Sequence, residues 1–149
     1  MRQLFALTLL CLLTVCGGCL TPKPDPKWVG GDVKVSSERV LWDLTRMALE
    51  QNNFPVGAGL DPAKMVAESG WMHSLAPFRG KGFRERCHIE WKRVAEGHWN
   101  LRVRVEREIN NDISHPLDMS YAEWDPDPDN EDRAKLVTQY IRSMLATAH

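Results

Sequence analysis

The clearest pattern in the chain runs from Phe83 to Ile109. The odd positions carry Phe83, Glu85, Cys87, Ile89, Trp91 and Arg93, then Trp99, Leu101, Val103, Val105, Arg107 and Ile109. The even positions carry Arg84, Arg86, His88, Glu90 and Lys92, then Asn100, Arg102, Arg104, Glu106 and Glu108. Strict alternation with a period of two predicts two strands, each with one apolar and one charged face. The connector Val94-Ala95-Glu96-Gly97-His98 suits a hairpin loop. Register must keep parity, or the apolar set turns to the wrong side. Trp91 opposite Leu101 and Cys87 opposite Val105 keeps it, and sets Arg86 against Glu106 and Arg84 against Glu108. A slip of two that sets Arg86 against Arg104 juxtaposes like charges. The opposite slip is also acceptable, so two registers remain, with the first preferred.

Two segments have the helical period instead. Ser36-Ser37 can cap a helix reaching about Gln51, whose apolar stripe is Val40, Leu41, Leu44, Met47 and Ala48. Asp129-Asn130-Glu131-Asp132 starts a second, with Ala134, Val137, Tyr140, Ile141, Met144 and Leu145 on one side. Between the first helix and the hairpin, 54–60 and 64–72 read as short strands, the latter with Met65, Ala67 and Trp71 on one parity. The stretch 110–129 holds Pro116, Pro126 and Pro128 and no sustained period, so it reads as a long loop. The order α-β-β-β-β-α predicts an α+β fold. Its expected form is a two-layer sandwich, an antiparallel four-stranded sheet with both helices on the odd-numbered face.

The first residues follow a different logic. Arg2 precedes an apolar run from Leu4 to Val15, and Gly17-Gly18 closes it. This is the layout of an export signal. A core of about a dozen apolar residues is short for a membrane span, which needs ~20. Three cysteines, Cys11, Cys16 and Cys19, crowd this end, but only Cys19 follows small residues. The segment Cys16-Gly17-Gly18-Cys19 resembles the bacterial lipobox, with Cys16 where a Leu is usual. That resemblance implies cleavage after Gly18 and a diacylglycerol thioether on Cys19. Leu20 stands where an Asp would mean inner-membrane retention in lipoproteins of enterobacterial type, so the outer membrane is favoured. The following Thr21-Pro22-Lys23-Pro24-Asp25-Pro26-Lys27 has proline at every second position, which predicts an extended spacer. The chain thus divides into a signal (1–18), a lipid-anchored proline-rich tether (19–35) and one domain (36–149).

Composition narrows the partners. The formal net charge of the 149 residues is −1, which does not suit a general nucleic-acid binder. With Cys19 lipidated, Cys87 is the last thiol and cannot form a disulfide within the chain.

Candidate chemistry is sparse. Cys87 and His88 are neighbours in a strand, so they point to opposite faces and cannot act as nucleophile and base. His88 and Glu90 share a face, but no motif adds further metal ligands. No serine or carboxylate pair has a catalytic neighbourhood, so no catalytic residue, metal or cofactor is expected. The basic, glycine-containing run around Arg79, Lys81, Arg84 and Arg86 is a candidate anion contact, though it lacks phosphate-loop spacing. Trp28 and Trp124 fall outside the expected core. Both are candidate interface anchors, with Trp124, in Glu123-Trp124-Asp125-Pro126, the candidate partner contact, or else both fold back to seal the domain edge.

The helix "VLWDLTRMAL", the strand ending in "SGW" and the basic hairpin are similar in layout to domains of the NlpB/BamC lipoprotein group. The likeness covers roughly 37–146 and transfers no site residue. It implies a small envelope lipoprotein. The leading expectation is a non-enzymatic module, tethered to the membrane through its lipid anchor, that binds or scaffolds an envelope protein. The alternatives are a binder of anionic glycan or lipid, and a secreted enzyme of unknown class.

Overall fold

The computed structural model describes residues 23–57, 59–75 and 80–147. The signal, Cys19 and Arg79 lie outside the described residues. In chain order the elements are β1 (Val29–Lys34), α1 (Glu38–Gln51), β2 (Leu60–Asp61), β3 (Val66–Glu68), β4 (Met72–Ser74), β5 (Phe83–Ala95), β6 (His98–Asn110), a 3-10 turn (Met119–Tyr121), β7 (Trp124–Asp127) and α2 (Glu131–Thr147). The strands form an open antiparallel sheet in the order β1-β6-β5-β3-β2, with β4 also on β5 and β7 also on β6.

The hairpin of β5 and β6 is the spine. Its register pairs Trp91 with Leu101, Cys87 with Val105, Arg86 with Glu106 and Arg84 with Glu108, the preferred one of the two. The strands run further than the alternation suggested, to Ala95 and from His98, with an irregularity between Arg93 and Ala95. Gly97 supplies the left-handed backbone (φ 66°) that the tight turn needs.

The odd-numbered side chains of this hairpin make the core. Cys87, Ile89, Trp91, Leu101, Val103 and Val105 join Leu41, Ala48 and Leu49 of α1 and Ala134, Val137 and Ile141 of α2 in one buried cluster. Its indole, hydroxyl and carboxylate groups are paired as follows. Thr45 Oγ1 donates to the Leu41 carbonyl at 2.7 Å and accepts the Trp91 indole N–H at 2.9 Å. The Trp99 indole N–H donates to the Val35 carbonyl at 3.1 Å. Glu85, also on this side and 1% exposed, meets Arg133 of α2 at 2.8 Å and accepts from Asn130 Nδ2 at 2.8 Å. Arg133 also donates to the Asn52 carbonyl at 2.6 Å and lies over the Phe54 ring at 4.5 Å, so it ties the end of α1 to the start of α2. Asn130 caps α2 as expected, its Oδ1 accepting the Arg133 N–H at 3.1 Å. Ser37 does not cap α1 with its side chain. Its carbonyl takes the Val40 and Leu41 N–H groups instead.

The sheet has seven strands rather than the four expected. One addition, β1, lies in the stretch assigned to the tether. The backbone of Gly30 passes so close to β6 that a Cβ there would sit 1.9 Å from the Leu101 carbonyl oxygen, and only glycine allows that approach. A second, β7, lies in the stretch read as a loop. It is an edge strand on β6, where Pro126 can stand opposite Glu108 without breaking the sheet. Among the described residues of the strand expected at 54–60, only Leu60 lies in a strand, β2, which continues to Asp61.

The strand expected at 64–72 is divided, with a consequence for the outer face. Glu68 pairs with His88 and Met72 with Glu85, so Ser69, Gly70 and Trp71 oppose only Cys87 and Arg86. This one-residue excess is a bulge, and it reverses parity beyond it. Met72 therefore packs against the core and Trp71 joins the charged face, contrary to the side expected for it. Ser69 repairs the ladder at the bulge. Its N–H donates to the Cys87 carbonyl and its Oγ accepts the Cys87 N–H, both at 2.9 Å.

Candidate functional site

The even-numbered face of β5 and β6 is a ladder of matched charges stacked on indole rings. Arg84 lies between Trp71 and Trp124, with its guanidinium carbon 4.3 Å from one ring centre and 4.8 Å from the other. Stacking leaves the in-plane N–H groups free, and these meet Glu108 Oε2 at 2.6 and 2.5 Å. Arg86 also covers Trp71, at 4.6 Å, and reaches Glu106 and Glu68 at 2.6 Å each. His88 stands between the same two carboxylates, with Nδ1 3.2 Å from Glu68 and Nε2 3.2 Å from Glu106. Arg104 grips Asp129 with two N–H groups at 2.6 and 3.0 Å. Arg102 pairs with Glu90 at 3.2 Å and lies 4.4 Å from the Trp28 ring centre.

The proline-rich segment folds onto this face. Lys23 Nζ reaches Glu106 Oε1 at 2.6 Å, and the Lys27 N–H donates to Asp129 at 2.7 Å. Glu106 is thereby covered, its side chain only 4% exposed. Burial pushes its carboxyl up, but hydrogen bonds from Lys23, Arg86 and His88 outweigh that and hold it down at about 2. The thiol of Cys87, on the opposite side, is pushed up by burial in the core and is inert.

The candidate anion contacts are not gathered into one cradle. Arg84 and Arg86 meet on Trp71, each already facing a carboxylate. Lys81 stands apart, its ammonium donating to Asn111 Oδ1. Gly80 beside it has a left-handed backbone (φ 96°). Trp124 is half-buried on β7, over Arg84, with its ring 5.8 Å from that of His73. Of the residues considered for a metal, His88 is held by Glu68 and Glu106, and Glu90 by Arg102. Among the described residues no group of three His, Cys, Asp or Glu side chains is placed to hold a metal ion.

The charges of this face are legible in the sequence, whereas the place of Trp71 on it is not. Alternation alone puts Trp71 on the other side, and Ser69-Gly70 is the signal for the bulge that moves it. Trp28, in the stretch expected as a tether, folds back onto the domain over Arg102, the second of the two places considered for it. No described helix is long and apolar enough to cross a membrane. The chain matches no protein-family model and no curated protein sequence.

Proposed function

We propose that the protein is a lipid-anchored module of the cell envelope, held through Cys19, that binds or scaffolds a partner protein and is not an enzyme. In this reading the helices cover one side of the sheet as a second layer, as in the NlpB/BamC layout, and the charged side is the contact surface. The observation that carries the reading is the Trp71–Arg84–Trp124 stack, in which an arginine and two half-buried indoles are fixed by Glu108 on an outer face. Tryptophan and arginine held rigidly at a surface are the usual anchors of protein interfaces, because little side-chain freedom remains to be lost on binding. Arg84 and Arg86 already have carboxylate partners, so an anionic ligand must displace them, which favours a protein partner over a glycan or lipid headgroup.

Crosslinking in intact envelopes tests the proposal. The lipidated protein is expected to capture a defined envelope protein, and Trp124→Ala with an unchanged circular dichroism spectrum is expected to lose it. Recovery of nothing beyond what a signal-swapped Cys19→Ala control recovers contradicts the proposal.

A further inference from the structure

The loop from β6 to β7 holds large apolar side chains out in water. Ile113 is 84% exposed, Leu117 57%, Met119 43% and Tyr121 56%, all within nine positions. The loop is nevertheless built to one shape. Its base is closed by the Asn111 N–H donating to the Glu123 carbonyl at 2.8 Å, and by Asn110 Oδ1, which accepts from Asp112 and Glu123 at 3.0 Å each. Asp112 accepts the Ser114 N–H at 2.7 Å, Asp118 accepts the Ser120 N–H at 2.9 Å, and the His115 ring stacks on Tyr121 at 4.3 Å. A fixed loop that presents its apolar side chains outward marks a contact with something apolar.

The course of the N-terminal segment says what that something is. From Val29, opposite Val103, the chain runs back past Asp129 to Lys23 at Glu106, that is, towards the end of β6 from which the loop projects. Cys19 stands four residues before Lys23, so it lies within about 14 Å of it even at full extension. Glu106 is four residues from the loop end of β6 at Asn110, about 14 Å along a strand. The opposite end, at His98, is eight residues away, about 27 Å and out of that reach.

We infer that the loop 113–121 rests in the headgroup region of the same bilayer that holds the lipid anchor, with Ile113, Leu117, Met119 and Tyr121 inserted. The inference rests on lipidation at Cys19. The contact is apolar: Asp112, Asp118 and Glu123 outnumber Lys81 around the loop, so a zwitterionic surface such as phosphatidylethanolamine suits it better than an anionic one.

The test uses the full lipidated protein in phosphatidylethanolamine–phosphatidylcholine vesicles carrying a nitroxide lipid. A polarity-sensitive fluorophore is placed at Ile113→Cys or, as reference, at Glu96→Cys in the β5–β6 turn. Both positions are exposed, and buried Cys87 does not label. The expected result is a blue shift and loss of fluorescence at 113, neither at 96, with no dependence on salt. A lipidated protein whose label at 113 behaves like that at 96 overturns this inference alone. A label at 113 that shifts only when envelope proteins are added assigns the loop to a protein and also overturns it. An N-terminal mass without lipid overturns both this inference and the anchored reading beneath it.

Discussion

The guanidinium of Arg84 lies 4.3 Å from the ring centre of Trp71, two side chains that strict alternation along 64–72 would have put on opposite sides of the sheet. The extra residue between Glu68 and Met72 brings them together. Trp71→Ala removes the platform under both Arg84 and Arg86. Each cation–π contact contributes about 0.5–1 kcal/mol, so a loss near 2 kcal/mol is expected in urea unfolding with the ring's own burial included. Arg84→Lys is expected to lose a large part of that, since an ammonium cannot stack and chelate Glu108 at once. A Trp71→Ala variant as stable as the parent contradicts the stacked arrangement.

Glu85 and Arg133 test the join between sheet and helices. Removing one member leaves a buried charge without its partner, so Glu85→Leu or Arg133→Met alone is expected to cost about 3–5 kcal/mol. The double replacement is expected to recover much of that, because the desolvation cost disappears with both charges. Additive losses in the double-mutant cycle count against the pair.

Glu106 sets a pH dependence. Its carboxyl is held at about 2, below the ordinary 4.5. A depressed carboxyl contributes stability that is present above its unfolded-state value and lost as the pH falls through its folded one. Urea midpoints are therefore expected to fall between pH 4.5 and about 2, and Glu106→Gln is expected to flatten that slope. An equal slope in the variant refutes the assignment.

Gly30 tests the docking of β1. A methyl group there would meet the Leu101 carbonyl at 1.9 Å. Gly30→Ala is expected to cost about 1–3 kcal/mol, with amide exchange quickening in β1 and not at the centre of β5. Unchanged protection in β1 shows that the strand does not approach β6 as described.

The parts legible in the sequence are those set by local, repeated pattern. The hairpin alternates over two full strands, so its faces followed from parity, and charge narrowed its register to two. The helices carried apolar stripes of the right period, but in α1 Val40 and Met47 are exposed, and Thr45 and Leu49 are buried beside Leu41, Leu44 and Ala48. What escaped depends on single residues or distant partners. Gly30-Gly31 has no side chains to alternate, so β1 merged with the proline segment. Pro126 made β7 look like loop, although an edge strand tolerates it. One inserted residue at Ser69-Gly70 moved Trp71 across the sheet. Glu85 among apolar odd positions was visible, but its partner lies 48 residues away and is found only by folding. The outer face was therefore legible as charged, and not as a set of arginines stacked on three indoles.

The anchored reading is tested most directly by the mass of the N-terminal peptide of protein isolated from membranes. The account predicts that residues 1–18 are absent and that Cys19 is the first residue, carrying a diacylglyceryl group. An unmodified residue after Gly18, or an intact Met1, contradicts it.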